Sequence, residues 1–267
     1  MSRTTRISAR FAVLQDQSRK AFVPYLTAGD PDLATTGALC RMLAEEGADI
    51  IELGVPFTDP IADGPTNQRA AQRALDRGIR PDGILELVRA LRSEGFALPI
   101  VLFTYWNPLR MLLQLGGGYD ALAGIDGILV TDLPPEHGEE HRAACAAANI
   151  DTIFLAAPTT PAERLPGIAA ATSGFLYYVS SKGVTGARAE LAAGLEADVG
   201  AVKAAAGALP VCVGFGIGTK DVAARVCEVA DGFVVGSALG NVIEKTAEVG
   251  GDVVEAARDF VRRLDPR

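Results

Sequence analysis

Short apolar runs recur along this chain, and most of them are followed by a segment in which apolar residues have helical spacing. The runs end at clusters of Gly, Pro and Asp, which interrupt regular structure. Continuous apolar runs of about four to eight residues are typical of buried parallel strands. The pattern predicts eight strands, at residues 21–26, 48–53, 99–104, 127–130, 151–155, 174–179, 210–213 and 232–235.

The segments between these runs predict helices, and one more helix precedes the first strand. The predicted helices include residues 4–15, 33–46, 136–148, 162–170 and 253–263. In the first of them Ile7, Phe11 and Leu14 recur at spacings of four and three, which gives the helix one apolar face. The amino-terminal arginines, with no acid before Asp16, faintly resemble a transit peptide. The apolar spacing favours a folded amphipathic helix instead.

Eight strands, each followed by a helical segment without a long linker, predict an α/β protein built as one (βα)8 or TIM barrel. We expect a single catalytic domain over residues 1–267, with the extra helix at its amino terminus. An open, doubly wound sheet of eight strands is the alternative, because continuous apolar strands fit both folds. In a barrel the loops that follow the strands share one face, where functional residues are expected.

Composition and charge exclude several classes of protein. Of the 267 residues 49% are hydrophobic, yet no run approaches the roughly 18 apolar residues of a membrane span, so we expect a soluble protein. The cysteines read as reduced thiols, which predicts a cytoplasmic location, and the acidic net charge argues against an anionic membrane as a partner. The net charge is −8 and the basic residues are scattered, which argues against nucleic acid as a partner. The four cysteines form no C-x-x-C pair, and His137 and His141 lack a nearby third ligand, so no metal is expected.

The richest candidate for chemistry is residues 52–65, ELGVPFTDPIADGP. Glu52 lies at the carboxyl end of the second predicted strand, and Asp63 follows eleven residues later on a loop with three prolines. This arrangement predicts two carboxylates at one cleft mouth. The alternative is structural: Glu52 caps or pairs, while Asp59 and Asp63 are turn residues.

Glycines follow the seventh and eighth predicted strands, at residues 214–218 and at Gly236, where Ser237 opens a helical segment. Backbone N–H groups at a glycine turn and at a helix amino terminus bind phosphate without basic side chains, although packing or turn roles are the alternative for each cluster. We expect a short phosphate-binding helix after the eighth strand. Thr219 stands where the G-x-G-x-x-G motif of dinucleotide-binding proteins needs its third glycine, so residues 214–218 do not match that motif. After the sixth predicted strand, residues 180–188 are interpreted as a lid that closes over the phosphate site, with an ordinary connection as the alternative.

Taken together, these motifs make the chain similar to a known family. Residues 52–65, 177–180, 183–186, 214–217 and 236–238, with further matches at 22–25, 27–31, 104–108 and 132–136, resemble the tryptophan synthase alpha chain family. The resemblance covers nearly the whole chain in the family's order. It implies a (βα)8 barrel lyase that cleaves indole-3-glycerol phosphate to indole and glyceraldehyde 3-phosphate, a retro-aldol reaction in tryptophan biosynthesis that needs no metal and no organic cofactor.

The resemblance also implies roles for individual residues. Glu52 is expected to protonate indole C3 and to relay the proton of the glycerol hydroxyl, while Asp63 accepts a hydrogen bond from the indole N–H. Tyr177 is expected to position the substrate or Glu52; its alternative is a core aromatic. These roles suit the chemistry, provided that burial raises the pKa of Glu52 and that Asp63 stays ionised.

The remaining implied contacts form two groups. The indole slot is expected to be lined by Tyr25, Phe103, Leu129 and Phe215, all of which would also serve as barrel packing. The phosphate is expected on Gly186, Gly216, Gly236 and Ser237, and Thr185 is expected to bond Asp63 when the lid closes. The chain departs from the commonest family pattern at Tyr25, Phe103, Gly240 and Asn241.

The resemblance finally implies a partner, a pyridoxal-phosphate-dependent beta chain in an α2β2 heterotetramer, to which indole passes through an internal tunnel. The loop that carries Asp59 and the exit of the sixth strand are expected to face it. Three alternatives stay open: a stand-alone lyase that releases indole, a non-catalytic allosteric barrel, and a different enzyme of phosphorylated sugars.

Overall fold

The computed structural model describes residues 3–180, 188–214 and 216–267, with the backbone alone for 188–193. Within these ranges the chain contains nine strands. They are β1 Ala21–Thr27, β2 Ile51–Gly54, β3 Ile100–Thr104, β4 Gly127–Val130, β5 Asp151–Ile153, β6 Leu155–Ala156, β7 Leu176–Val179, β8 Val211–Gly214 and β9 Gly232–Val235. Each lies within or beside a predicted apolar run.

Eleven α-helices are present in the described ranges. They are α1 Arg6–Asp16, α2 Leu33–Glu45, α3 Pro65–Asp76, α4 Pro81–Ser93, α5 Trp106–Gly116, α6 Glu139–Ala147, α7 Leu165–Ala171, α8 Arg188–Ala206, α9 Lys220–Val229, α10 Ser237–Glu248 and α11 Val253–Leu264. Local sequence explains several starts: the side chains of Thr5 and Asp32 cap α1 and α2, and prolines open α3 and α4. The helix predicted at 136–148 is interrupted, because a 3-10 turn, Pro135–His137, precedes α6.

The pairing of the strands decides between a barrel and an open sheet. All neighbours are parallel, in the order β5-β4-β3-β2-β1-β9-β8-β7-β6. The two strands at the ends of this order, β5 and β6, are separated in the chain by Phe154 alone. The single strand predicted at 151–155 therefore pairs with β4 through its first half and with β7 through its second. This closes the sheet, confirms the (βα)8 prediction and excludes the open sheet.

The apolar core has two layers. The outer layer packs the strands against the surrounding helices, and the inner layer fills the barrel. Ile7, Phe11 and Leu14 of α1 belong to the inner layer, together with Val101 and Phe175. The predicted apolar face of α1 therefore closes the amino-terminal end of the barrel, where its burial removes apolar surface from water.

Ion pairs fix α1 on that closed end. Arg3 pairs with Asp151 at the start of β5, with 3.1 Å between Nη2 and Oδ1. Arg6 pairs with Asp126, which precedes β4, at 2.8 Å. Arg10 and Arg267 both bind Asp49 before β2. The amino-terminal arginines thus belong to the fold, as the amphipathic-helix interpretation predicted.

The structure also bears on membrane-spanning helices and on clusters of metal-binding side chains. None of the helices in the described ranges combines the length and the apolar character that a membrane crossing requires. His141 is buried in α6 with Nδ1 2.6 Å from the Tyr119 hydroxyl, whereas His137 lies in the preceding turn. Among the described residues no group of three or more His, Cys, Asp or Glu side chains is arranged to hold a metal ion.

We expect Asp49→Asn to lower the free energy of unfolding by about 2 to 4 kcal/mol, because Arg10 and Arg267 would lose the charge that compensates their partial burial. The Asp49 side chain is 0% exposed, and its Oδ2 also accepts a hydrogen bond from the Phe22 amide at 2.8 Å. Urea denaturation measures the change. Asp16→Asn, at an exposed position in α1, is the control, and equal effects of the two substitutions would contradict a structural role for these pairs.

Candidate active site

Glu52 is the second residue of β2, Ile51–Gly54, and not the carboxyl end of the strand that was predicted for it, and it is fully buried. In the strand register it lies beside Tyr25 of β1 and Val101 of β3. Neither of its carboxyl oxygens has a hydrogen-bond partner among the described residues. Burial raises the pKa of Glu52 to about 8, because the charged form has lost its water without gaining a donor. At neutral pH the group is therefore mainly a carboxylic acid, as the sequence-based assignment of a proton donor requires.

Asp63 has a different environment, although it lies on the loop that follows the same strand. The Tyr105 hydroxyl donates a hydrogen bond to Asp63 Oδ2 at 2.6 Å. Burial is the largest cause and raises the pKa of Asp63, whereas the hydrogen bond from Tyr105 opposes that rise by favouring the ionised form. The two carboxyl groups thus differ in the way that separate acid and anion roles need.

Tyr105 follows the third predicted strand, so the barrel prediction places it at the mouth with Glu52 and Asp63, although the sequence assigned it no chemical role. Besides its bond to Asp63, its hydroxyl accepts a hydrogen bond from the Ala62 amide at 3.0 Å. The Phe57 ring lies 5.2 Å from the Tyr105 ring, centroid to centroid. Tyr105 therefore holds the acid loop at two points. No local spacing signals this contact, because the residues are 42 positions apart.

Tyr25 of β1 lies beside Glu52 in the strand register. Burial is the largest cause that raises the pKa of Tyr25, and the charges of Asp63 and then Glu52 add to it. The Tyr25 ring meets that of Phe103 edge to face, with 5.3 Å between centroids. A Cβ atom on Gly54 would stand 2.1 Å from the Tyr25 hydroxyl oxygen, so glycine is required there. Tyr25 and Phe103, which both differ from the commonest family pattern, thus pack against each other near Glu52.

Tyr177 and Leu129 face the barrel interior. Tyr177 is 8% exposed and Leu129 is fully buried, and both belong to the inner core layer. Burial, followed by the charge of Glu52, raises the pKa of Tyr177 well above its usual range. Tyr177 is therefore close to Glu52, as a positioning role requires. Its part in substrate binding, like that of Leu129, stays a prediction.

The glycine turn and the helix that were predicted to bind phosphate are neighbours. A Cβ on Gly218 would lie 3.5 Å from that of Ala238, in the first turn of α10, and one on Gly236 would lie 3.6 Å from Tyr25 Cβ. Gly216 has a φ of +77°, which glycine adopts without strain. No described side chain caps α10, and its first turn contains no acid. The amides of this turn are therefore suited to an anion. The predicted contacts Phe215, Thr185 and Gly186 lie outside the described residues.

Known proteins share both the sequence and the fold. A family model for the tryptophan synthase alpha chain matches residues 11–265. The tryptophan synthase alpha chain of Opitutus terrae is 45% identical over 271 residues, covering 95% of this chain and 99% of that relative. The crystal structure of tryptophan synthase subunit alpha from Legionella pneumophila superposes with a TM-score of 0.87 at 37% identity, covering 98% and 97% of the two chains. The chain belongs to the tryptophan synthase alpha chain family.

Membership confirms the activity that the resemblance implied. The tryptophan synthase alpha chain is a carbon–carbon lyase that cleaves indole-3-glycerol phosphate to indole and glyceraldehyde 3-phosphate. The comparisons support this activity and none of the alternatives. A structure of the tryptophan synthase α2β2 complex from Pyrococcus furiosus is also similar, with a TM-score of 0.82 at 40% identity, covering 91% of this chain and 97% of that one. Assemblies with a second kind of subunit thus occur among the structural relatives.

The stability of the Glu52→Gln variant tests the burial of this carboxyl group. The pKa is about 8 in the folded chain and 4.5 in the unfolded chain, so the unfolded state releases the proton first. The contribution of Glu52 to the free energy of unfolding is fully present below pH 4.5 and is lost as the pH rises towards 8. We expect the free energy of unfolding of Glu52→Gln to exceed that of the parent protein by roughly 3 kcal/mol at pH 7.

Urea denaturation at several pH values measures this difference, which should grow between pH 4.5 and 8 and then level off. Glu86→Gln, at an exposed position in α4, is the matched control and should track the parent protein. A Glu52→Gln difference that is independent of pH would contradict the raised pKa.

Proposed function

We propose that this chain cleaves indole-3-glycerol phosphate with Glu52 as the general acid and base and with Asp63 as the anion that stabilises the indole cation. The observation that carries the proposal is the Glu52 carboxyl group, which is fully buried, lacks a described hydrogen-bond partner and has a pKa of about 8. A structural role would be expected to give it a donor or a countercharge. A group that must donate and accept a proton near neutral pH needs the environment that Glu52 has.

The reaction needs two proton movements, and one carboxyl group can carry out both. Glu52 first donates its proton to indole C3, which turns the ring into a cation. The resulting Glu52 carboxylate then removes the proton from the hydroxyl on the carbon bonded to C3. That carbon becomes the aldehyde of glyceraldehyde 3-phosphate as its bond to C3 breaks, and the bonding electrons return to the ring as neutral indole. Glu52 ends the cycle protonated, so acid and base steps balance.

Asp63 acts on the charge that appears in between. Protonation of C3 makes the ring nitrogen positive, and an ionised carboxylate near its N–H stabilises that state more than the neutral substrate. The hydrogen bond from Tyr105 supports this role, because it favours the ionised carboxylate and opposes the rise in the pKa of Asp63 that burial causes. In this proposal the barrel supplies the acid and the loop supplies the anion.

The other predicted residues hold the two ends of the substrate. We assign the ring to a slot beside Tyr25 and Phe103, with Leu129 and Phe215 as further walls and Tyr177 as the neighbour that orients Glu52. The phosphate is assigned to the amides of Gly216, Gly236 and Ser237, with Gly186 completing the set and Thr185 reaching Asp63 in the closed state. The proximity of the glycine turn to the first turn of α10 supports the phosphate assignment.

Glu52→Gln tests the acid–base role. We expect kcat/KM for indole-3-glycerol phosphate to fall about a thousandfold, because the amide neither donates nor accepts the proton, while the affinity for inorganic phosphate is kept. In the parent protein kcat/KM should decrease above about pH 8, where Glu52 loses its proton. Indole formation at the parent rate in Glu52→Gln would refute the assignment, and Glu86→Gln is the control.

We also propose that a pyridoxal-phosphate-dependent beta chain binds at the barrel mouth to form an α2β2 complex. The loop between β2 and α3 supports this site, because it carries Ile61, whose side chain is apolar yet 82% exposed, beside the exposed Asp59. An apolar side chain in that position gains stability when a partner covers it. The same loop carries Asp63, so a partner there would contact the catalytic segment directly.

Ile61→Asp tests this surface. We expect the concentration of beta chain needed for half-maximal activation of indole formation to rise about tenfold, because a charge would have to lose its water at the contact. Cleavage without the beta chain should stay at the parent rate. Val249→Asp is the matched control, since Val249 is 81% exposed but follows α10 at the end of the barrel away from the mouth. Equal activation of both variants would exclude this loop from the interface.

A further inference from the structure

A cleft lies at the closed end of the barrel, beside α1. It has a volume of about 1200 Å³ and runs past the segments that precede β7, β8, β9 and β1. Sites for small molecules typically have volumes of roughly 300 to 1,000 Å³, so the cleft has room for an organic ligand. None of the residues assigned to the substrate lines it. The cleft is therefore separate from the active site.

Arg142 of α6 is the residue of this cleft that lacks a structural explanation. Among the described residues three buried side-chain nitrogen or oxygen atoms have no hydrogen-bond partner, namely the two carboxyl oxygens of Glu52 and Nε of Arg142. No hydrogen bond or ion pair joins the half-buried Arg142 side chain to another described residue. A guanidinium group that has lost part of its water is normally paired. The property that distinguishes Glu52 therefore distinguishes Arg142 as well.

The neighbouring Arg3 shows that Arg142 is not needed to hold the end of α6. Arg3 Nη1 donates to the main-chain oxygen of Ala146 at 2.6 Å, and Nη2 donates to that of Ile150 at 2.8 Å. Arg3 also pairs with Asp151 at 3.1 Å. These bonds satisfy the carbonyl groups at the end of α6 and neutralise the acid at the start of β5. Arg142 thus has no structural duty in the described part of the chain.

The cleft is basic, although the whole chain has a net charge of −8. Its five basic residues outnumber its two acids, and the set is Arg3, Arg19, Lys20, Arg142 and Lys203 with Asp151 and Asp231. Both acids already have basic partners, since Lys203 binds Asp231 at 2.8 Å and Arg3 binds Asp151. The remaining positive charge attracts an anion to this part of the surface.

This remaining charge is divided between the two ends of the cleft. Arg142 lies in the helix before β5, whereas Arg19 and Lys20 come directly before β1. In the order of the sheet β7, β8 and β9 lie between these ends. Small side chains line the cleft there, among them Ala12 of α1 and Ala170 of α7. A ligand that suits the cleft therefore has an organic body and more than one acidic group.

We infer that this cleft is a binding site for a small organic polyanion, which places a phosphate or carboxylate group on Arg142 and a second acidic group towards Arg19 and Lys20. The planar guanidinium group offers parallel N–H donors that match the oxygens of both kinds of group. The inference does not depend on the proposed function, because the two sites share no residue.

Isothermal titration calorimetry with fructose 1,6-bisphosphate and with citrate tests this site. The substrate site is first filled with indole-3-propanol phosphate, and an ionic strength of about 0.15 M screens non-specific attraction. We expect the parent protein to bind at least one probe, and the probe that binds more tightly shows whether the site prefers phosphate or carboxylate. Absence of binding for both probes would overturn the inference.

Substitutions of Arg142 locate the binding. Arg142→Gln should raise the dissociation constant of the bound probe about tenfold, because a charge-assisted hydrogen bond is lost. Arg142→Lys keeps the charge without the planar donors and should weaken binding less. Both variants are expected to fold, since no described ion pair is removed, and urea denaturation checks this.

Arg110→Gln, at an exposed position in α5, makes the same change in net charge and is the matched control. It should bind the probe like the parent protein. Equal weakening in Arg110→Gln and Arg142→Gln would mean attraction by net charge alone and would contradict a site at Arg142. Cleavage of indole-3-glycerol phosphate without a probe should stay at the parent rate in all three variants, which separates this site from the active site.

Discussion

Burial of the Glu52 carboxyl group without a described hydrogen-bond partner is the constraint on which the site depends. An unpartnered carboxylate is unstable in an apolar interior, so the group retains its proton to a pH of about 8. The closed barrel makes this environment, because neighbouring strands exclude water on both sides of β2. An open sheet would leave one face of the strand to be covered by other means. The proton donor is thus a property of the closed fold.

The two ends of the barrel differ in what their charges do. At the closed end the acids before or at the start of the strands are neutralised by arginines in and just before α1 and by Arg267, and their role is to hold the helix that seals the barrel. Inside the barrel Glu52 lacks a described countercharge, and on the loop after β2 Asp63 is bound by a neutral donor, the Tyr105 hydroxyl. Stability at one end and chemistry at the other follow the division that is general for this fold.

Glu52 and Asp63 also show how environment assigns different roles to similar groups. Burial acts alone on Glu52, whereas a hydrogen bond from Tyr105, at the start of α5, opposes it at Asp63. The helix α3 begins two residues after Asp63, and Arg69 and Arg73 of α3 both pair with Glu244 of α10. The loop that carries the anion is therefore attached to the predicted phosphate helix. Substrate that bridges them would meet groups already in place.

Sequence by itself determined the order and approximate bounds of the strands, the apolar face of α1 and the motif at residues 52–65, because these depend on local composition and spacing. Through a family resemblance it also indicated the activity. The division of the strand around Phe154, the bond of Tyr105 to Asp63 and the packing of Thr66 on Gly240 were decided by tertiary structure alone. Such contacts join residues far apart in the chain, so no local pattern encodes them. The same holds for the pKa of Glu52, which follows from water excluded by other strands and not from its own neighbours in sequence.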